Sequence, residues 1–395
     1  MVIFMNILFV KGKDAFADYY TDKLISSAEA SGAEFYIVDY KDPTSFISDE
    51  FTDFINKDKV KTVSFDLSGL DISDEDGNII FDKYDIPLYS ILSKPVIAYK
   101  DLLLQAGDKT HVIVSDKNDE LYIEKNFSNV KNILYLPLGG SFEASEDGMS
   151  KPLDFEKRDI DVLFAFSCDD DYTGKDPKIE FLGEDSSDFF VKTELALVET
   201  PYKTVETVIR EYCRTLKDKL SEEQISELIE KYSDHIRGGA NRFNKQELIH
   251  RLDTAGIEVQ VYGNNWESSK YIYSENIHIH EPLSPREANI MTGRALIAVN
   301  FLDHYKNGAN ARFFDNMLNG AVCISDTNEY TDRRFKDGKQ MVKLDILNPN
   351  QTLADIQYLL SHKDRAKEIA KSGCEAAQRE SWERRFARLV ELISK

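Results

Sequence analysis

Residues 307–326 read NGANARFFDNMLNGAVCISD and carry the clearest signal of the fold. It passes from a loop with Gly308 into a helical pattern over 311–318, stops at Gly320 and continues as a buried strand over 321–325. A loop, a helix, a glycine and an apolar strand in this order are typical of one unit of a parallel α/β sheet. The stretch therefore predicts an α/β fold.

The same alternation of strand-like and helix-like segments continues on both sides. It runs from a predicted strand at 6–10 to another at 133–137, and it resumes at 159–167 after an acidic linker that holds glycine and proline, 141–158. Ligands of open α/β sheets lie beyond the carboxyl ends of the strands. We therefore predict two Rossmann-like domains that face each other across a cleft.

The length of the chain and the position of the linker set the domain boundaries. We place an N-terminal domain at residues 1–150 and a C-terminal domain at 151–375. Within the second domain, the long polar stretch 168–240 carries helical spacing and is predicted to be a helical insertion. Residues 376–395 are predicted to form a terminal helix that packs back on the N-terminal domain.

The composition is that of a packed and strongly acidic protein. Hydrophobic residues make up 42% and charged residues 30% of the 395 residues, and the formal net charge is −21. Nucleic acids bind through concentrated lysine and arginine, so this charge argues against nucleic acids and anionic membrane surfaces as partners. A site for an anionic ligand would have to be a local pocket lined by cations or backbone amides.

The cysteines and the N-terminal segment bear on the compartment. The four cysteines are widely spaced and form no metal-binding pattern, so we expect reduced thiols. The segment MVIFMNILFV lacks the basic start of a signal peptide and turns polar after Val10, and no other stretch is long enough to span a bilayer. We expect a cytoplasmic protein without a membrane span.

The first strand argues against a dinucleotide cofactor. After it, Val10-Lys11-Gly12-Lys13 holds one glycine where the pyrophosphate fingerprint requires three, and no cofactor is predicted. Gly12 and Gly263 nevertheless stand at the carboxyl ends of predicted strands in the two domains. Both are therefore candidates for the substrate-binding set.

The segment quoted first has the physical chemistry of an anion site. The loop with Asn307, Gly308 and Asn310 leads into a helix N-terminus, where free backbone amides and the helix dipole favour a diphosphate. Arg312 adds a cation, and Asp315 lies one turn further on the same face, where its carboxylate can accept ribose hydroxyls. A solvated salt bridge between Arg312 and Asp315 explains the same spacing.

A second basic group, Arg237, Arg242 and Lys245, precedes a predicted C-terminal strand. It is placed to clamp the phosphate of a leaving group, and surface charge at a helix start is the alternative.

Two metal-binding patterns are weaker. The run 169–171 of three aspartates reads as a solvated loop, and His278 and His280 lack a third ligand at suitable spacing.

Three residues are candidates for proton transfer. Asp116 follows the predicted strand 110–115, and His304 lies four residues before Gly308 at the end of another strand. Asp14 lies in the first loop, although an N-cap role for the helix after it explains this residue as well. The sequence leaves the choice among them open.

The segment 307–326 resembles the nucleotide-sugar site of the group 1 glycosyltransferases. It is more closely similar to the spore maturation protein B-like (CgeB-like) glycosyltransferases. The matching residues are Arg312, Phe313, Phe314, Asp315, Asn316, Met317, Gly320, Ser325 and Asp326. The likeness covers roughly residues 160–390 and is strongest over 295–340.

This resemblance implies a GT-B glycosyltransferase whose C-terminal domain binds a nucleoside diphosphate sugar and whose N-terminal domain binds the acceptor. The acceptor would be a glycan, a protein or a peptide, and the transfer would be metal-independent. Retaining group 1 enzymes carry two glutamates eight residues apart. Asp315 takes the second place and Asn307 the first, so retention and inversion both stay open.

The N-terminal half departs from the family pattern. Ser93-Lys94-Pro95 stands where the family has Asp-His-Pro, and Leu138 stands where it has a histidine before a glycine pair. Those family residues would be the natural general base. A catalytically silent sugar-nucleotide or glycan-binding partner protein is therefore the alternative, and a sugar-nucleotide epimerase is a third reading. The sequence leaves open whether the chain forms a homo-oligomer.

Overall fold

The computed structural model describes residues 5–73, 76, 79–143, 153–169, 176–183, 185–267 and 274–394. In these ranges twelve strands form two sheets of six, and every pair of neighbouring strands is parallel. Helices surround both sheets. The prediction of an α/β fold with two Rossmann-like sheets is confirmed.

The N-terminal sheet is formed by the first third of the chain. Its strands are β1 Asn6–Lys11, β2 Glu34–Asp39, β3 Val60–Phe65, β4 Leu88–Ile91, β5 Thr110–Val114 and β6 Asn132–Tyr135. The helices between them are α1 Ala15–Ser31, α2 Asp49–Ile55, α3 Ile80–Lys83, α4 Lys100–Gln105 and α5 Lys117–Asn126. The strand order is β2-β1-β3-β4-β5-β6. Ile7, Leu8 and Phe9 of β1 are fully buried because both faces of the sheet are covered.

The C-terminal sheet has the strand order β12-β11-β10-β7-β8-β9. Its strands are β7 Ile160–Phe164, β8 Val259–Tyr262, β9 Ile277–His280, β10 Ala295–Asn300, β11 Val322–Ser325 and β12 Val342–Lys343. The helices that follow β7 are α6 Asp185–Glu199, α7 Val205–Thr215, α8 Glu222–Thr254, α9 Pro285–Thr292, α10 Ala311–Leu318, α11 Glu329–Asp332, α12 Pro349–Ser361, α13 Lys363–Ala377 and α14 Trp382–Ile393. The segment 307–326 supplies α10 and β11, as predicted. The two-residue β12 was not predicted because it is too short to show a pattern.

Helices α6, α7 and α8 lie between β7 and β8 and share one apolar layer, which includes Phe189, Ile209 and Leu228. The insertion is predicted to end near residue 240, whereas α8 is a single helix of 33 residues that continues to Thr254. The glycines inside α8 do not end it. A Cβ at Gly239 would lie 2.4 Å from the side-chain carbon of Glu194, so this glycine lets α6 approach α8 closely.

Helix α14 returns to the N-terminal sheet. The ring of Trp382 lies 5.0 Å from that of Tyr20 on α1 and 5.7 Å from that of Phe65 on β3. The backbone amide of Trp382 also donates to the carbonyl of Gly140 at 3.0 Å. The two sheets therefore share one continuous apolar core beside α1 and α10. The domain boundaries stay a prediction.

The cysteines and the helix lengths add two simple observations. All four cysteines are free thiols, and three of them are buried. None of the helices in the described part of the chain combines the length and the apolar character that a membrane crossing requires.

Candidate active site

A cavity of about 320 Å³ opens at the carboxyl ends of strands from both sheets. Helix α5 and the residue before it, Asp116, form its N-terminal wall. The loop after β10 and Asp326 after β11 form its C-terminal wall, and α7 and α8 of the helical insertion close a third side. This is the position in which α/β folds bind ligands.

Arg237 of α8 and Lys306 of the loop after β10 bring positive charge to this cavity. The Nη2 atom of Arg237 lies 2.9 Å from Asp234, and its Nε atom lies 3.4 Å from Asp303 Oδ1. Burial lowers the pKa of Lys306, and the acidic groups around it oppose that shift. Arg237, one of the three residues predicted to clamp a phosphate, therefore lines the cavity.

Arg242 and Lys245, predicted to belong to the same clamp, lie outside the cavity. Lys245 Nζ lies 2.5 Å from Asp169 Oδ2 and donates to the carbonyl of Ser167, and Arg242 Nη1 donates to the carbonyl of Asp169 at 2.9 Å. Both side chains hold the loop after β7, and neither lines the cavity. Of the predicted acidic run, Asp170 and Asp171 lie outside the described residues, and Asp169 is paired with Lys245.

The loop before α10 also differs from its predicted role. The amide of Asn307, expected to face a diphosphate, donates to Asp116 Oδ2 at 2.6 Å. A Cβ at Gly308 would lie 2.2 Å from the carbonyl oxygen of Ser115. The loop is therefore closed against the strand end of β5, because the N-terminal half packs directly on it.

Arg312 and Asp315 share one face of α10, as predicted, but neither lines the cavity. Arg312 Nη1 donates to Asn289 Oδ1 at 2.9 Å, and Asp315 Oδ1 accepts the amide of Ser141 at 2.7 Å. Tyr20 donates to the other oxygen of Asp315 at 3.4 Å. Burial raises the pKa of Asp315 to about 6. The assignment of these two residues to phosphate and ribose stays a prediction, and because Asp315 is fully buried the two do not form a solvated surface salt bridge.

Three further predicted substrate contacts, Asn310, Gly12 and Gly263, lie outside the cavity. The Oδ1 atom of Asn310 caps α10 by accepting the amide of Phe313 at 3.0 Å. A Cβ at Gly12 would lie 2.1 Å from Asp39 Oδ1, and one at Gly263 would lie 2.4 Å from the carbonyl oxygen of Phe166. Both glycines allow close packing between neighbouring strand ends, and neither lines the cavity.

Of the candidates for proton transfer, Asp116 and His304 line the cavity and Asp14 does not. Asp14 Oδ1 accepts the amides of Phe16 and Ala17, which confirms its N-cap alternative. Burial raises the pKa of Asp116, and the backbone amides that it accepts oppose that shift. Burial lowers the pKa of His304 to about 3, so its imidazole is neutral near pH 7.

The positions where the sequence departs from the family pattern are structural here. Ser93 Oγ donates to Asp66 Oδ2 at 2.8 Å, and the carbonyl of Leu138 accepts Arg385 Nε at 3.1 Å.

His278 and His280 contact Glu258 and Gln260 at 2.8 and 2.7 Å. Among the described residues, no group of three histidine, cysteine or acidic side chains is placed to hold a metal ion.

Comparison with known proteins gives the broader context of this site. The sequence model of a family described as glycosyl transferase-like matches residues 242–391, which include α10 and β11. No curated protein sequence matches the chain.

Solved structures share the fold over nearly the whole chain. An alpha-glucosyltransferase in complex with UDP is 10% identical, with a TM-score of 0.56 over 99% of this chain and 100% of that one. A beta-glucosyltransferase described as a DNA-modifying enzyme is 14% identical, with a TM-score of 0.53 over the same shares. The Anabaena protein HepE in complex with UDP-glucose is 10% identical, with a TM-score of 0.51 over 99% of each chain.

The findings support a glycosyltransferase with the GT-B fold. At these identities the structural likeness shows the fold, and the matched family covers much of the C-terminal half. The finer likeness to the spore maturation protein B-like group stays a prediction.

Sequence reasoning about this glycosyltransferase missed several charged residues that line the cavity, among them Asp119, Asp303 and Lys306. A signal was present for these three, because they follow closely on the strands β5 and β10. The contribution of α7 and α8 carried no such signal. Which face of an inserted helix turns toward a cleft depends on how the insertion packs against α5.

Proposed function

We propose that this glycosyltransferase moves a sugar from a nucleoside diphosphate sugar to a glycan, protein or peptide acceptor, with the donor in the cavity. The proposal rests on one observation. Arg237 and Lys306 line a cavity at the carboxyl ends of the strands, although the chain as a whole has a net charge of −21. Two cations at the strand ends can form charge-assisted hydrogen bonds to a diphosphate, although carboxyl groups also line the cavity. Two proteins of the same fold are described in complex with UDP or UDP-glucose.

In this proposal the two cations offset the charge that develops on the departing diphosphate. Such preorganised charge acts strongly in a site that excludes water. Arg237 and Lys306 would supply without a metal ion the stabilisation that a divalent cation supplies elsewhere. The part of the chain at 151–375 would bind the donor, and 1–150 would present the acceptor from the side of α5.

The acceptor is proposed to be uncharged or only weakly acidic. A protein of the same fold is described as a DNA-modifying enzyme. For this chain a net charge of −21 would repel a phosphate backbone. A glycan, protein or peptide acceptor meets no such repulsion.

A calorimetric binding screen tests the donor site. The sugar conjugates of UDP, GDP, TDP and CMP are offered to the wild type and to Arg237→Ala, with and without EDTA, and released nucleotide is measured by mass spectrometry. We expect one nucleotide sugar to bind equally well in EDTA, and Arg237→Ala to lose about tenfold or more in affinity, because a hydrogen bond to a charged group contributes roughly 1.5–3 kcal/mol.

Two variants sharpen this screen. Arg214→Ala removes an exposed arginine of α7 outside the cavity and serves as the matched control. Arg312→Ala separates the two proposed phosphate sites, because Arg312 contacts Asn289 away from the cavity. If Arg312→Ala lost affinity and Arg237→Ala did not, the donor would bind at α10 and the cavity assignment would be wrong.

A catalytically silent binding partner is the second candidate, and one observation favours it. The loop before α10 is closed by the bond from the Asn307 amide to Asp116 and by the contact of Gly308 with Ser115. A protein fixed in this closed arrangement would hold a ligand without completing a transfer. Binding of a nucleotide sugar without any release of nucleotide would support this candidate over the transferase.

A further inference from the structure

Five carboxyl groups line the cavity: Asp116, Asp119, Glu206, Asp303 and Asp326. Four of them are engaged. Asp116 accepts the amides of Asn118 and Asn307. Asp326 accepts the amide of Leu302 at 2.7 Å.

The other two engaged carboxylates are paired with basic or amide side chains. Glu206 accepts Arg210 Nε at 2.8 Å and lies 3.2 Å from Lys125 Nζ. Asp303 accepts the side-chain amide of Asn241 and lies 3.4 Å from Arg237 Nε. Among the described residues, the Asp119 carboxyl has no hydrogen bond or ion pair. It is therefore the acidic group of this cavity that is left to meet a ligand.

Helix α5 determines where that carboxyl lies. Asp116 caps the helix, and Asp119 follows three residues later in the first turn, on the same side. Leu121, Tyr122 and Lys125 continue this side of α5 along the cavity wall. Arg237 of α8 stands opposite, so the group on the N-terminal wall and the cation proposed to hold the donor diphosphate enclose the same space.

We propose that Asp119 is the catalytic base of this glycosyltransferase, a role that rests on the proposed function of the cavity. The Asp119 carboxylate takes the proton of the acceptor hydroxyl, and the acceptor oxygen forms its bond to the anomeric carbon. The bond from that carbon to the donor phosphate breaks, and its electron pair leaves on the diphosphate beside Arg237. Asp119 then returns the proton to solvent.

The surroundings of Asp119 suit a base. Burial raises the pKa of its carboxyl to about 8, the charge of Asp116 adds to this shift, and Arg237 opposes it. The buried hydroxyl of Tyr305 also lies near, with its own pKa raised by burial. A base is most effective when its pKa lies close to the working pH. Asp116 is less suited, because two backbone amides already occupy its oxygens.

Asp119→Asn tests this role, with Glu120→Gln as the matched control on the next residue of α5, outside the cavity. The probe is the nucleotide sugar that the wild type binds in the screen, with water as the acceptor. Calorimetry measures affinity, and released nucleoside diphosphate is followed from pH 5.5 to 9. A thermal melt of each variant checks that it is folded.

We expect Asp119→Asn to keep its affinity within about twofold and to lose roughly 10²-fold or more in turnover, the usual contribution of a general base. The rising limb of the wild-type pH profile near pH 8 should disappear in the variant. Formate should restore part of the turnover of Asp119→Ala, which a residue that only supports the fold would not show. Glu120→Gln should match the wild type throughout.

The other outcomes separate the two proposals. Wild-type turnover with an unchanged rate and pH profile in Asp119→Asn would overturn the base assignment and leave the donor site standing. Binding without turnover in the wild type would overturn the base assignment and favour the silent partner. If the wild type bound no nucleotide sugar, the proposed function would fall, and the role of Asp119 with it.

Discussion

The backbone amide of Ser141 donates to the Asp315 carboxylate at 2.7 Å and so ties the chain that leaves the N-terminal sheet to helix α10 of the C-terminal half. Asp315 is fully buried, and Tyr20 of α1 contacts its second oxygen. The residue whose motif suggests a ribose contact therefore joins the two halves of the molecule. Its loss should affect stability before it affects ligand binding.

Replacement of Asp315 by alanine should lower the free energy of unfolding by about 1–3 kcal/mol, because the buried amide of Ser141 then has no acceptor. Urea unfolding followed by circular dichroism measures the change. Asp53→Ala removes an exposed aspartate of α2 and should leave the unfolding curve in place. Equal stability of Asp315→Ala and the wild type would show that the bond between the halves contributes nothing.

The pH dependence of stability should carry the signature of Asp315. Its pKa is about 6 in the folded protein against an ordinary value of 3.8, so between pH 4 and 6 the folded state binds more protons than the unfolded state. Asp315 should therefore contribute a fall of about 2–3 kcal/mol in the free energy of unfolding as pH rises through this window. In Asp315→Asn this decline should be smaller, as urea unfolding at several pH values would show. Parallel curves for both proteins would contradict the assignment.

A methyl group at Gly308 should force the loop before α10 away from the N-terminal half. The new Cβ would lie 2.2 Å from the carbonyl oxygen of Ser115, a backbone atom that cannot turn aside. We expect Gly308→Ala to lose about 1–3 kcal/mol of stability through overpacking and to gain proteolytic sensitivity near the loop. Gly107→Ala is the control, since its nearest contact would be 3.6 Å. An unchanged melting temperature in both variants would show that the loop yields freely.

Loss of the Trp382 side chain should loosen α14 from the N-terminal sheet. Trp382 is 1% exposed and packs on Tyr20 and Phe65, so Trp382→Ala should cost about 3–5 kcal/mol. Trp266 is then the remaining tryptophan, and its fluorescence reports the unfolding of the C-terminal half. Tyr358→Ala, at a half-exposed position of α12, should change stability far less. Similar losses in both variants would contradict the packing role of α14.

The α/β class, the order of most strands and helices and the extent of α10 could all be predicted from the sequence. These follow from local periodicity and from glycine and capping signals, which act within a few residues. Asn310 caps α10 and Asp14 caps α1 for the same local reason. The parallel pairing of the strands follows as well. A helix between two neighbouring strands forms a crossover, which is the connection that parallel strands require.

Which of the charged residues line the cavity together depends on tertiary packing. Arg312 contacts Asn289 of α9, and Asp315 contacts Tyr20 of α1 and Ser141. Asp119, Lys306 and Arg237, by contrast, meet in the cavity from three separate segments. A local sequence pattern shows which residues share one face of a helix, but it does not show which surface that face contacts. That surface depends on how two sheets and an inserted helical layer pack over distances along the chain that no local signal spans.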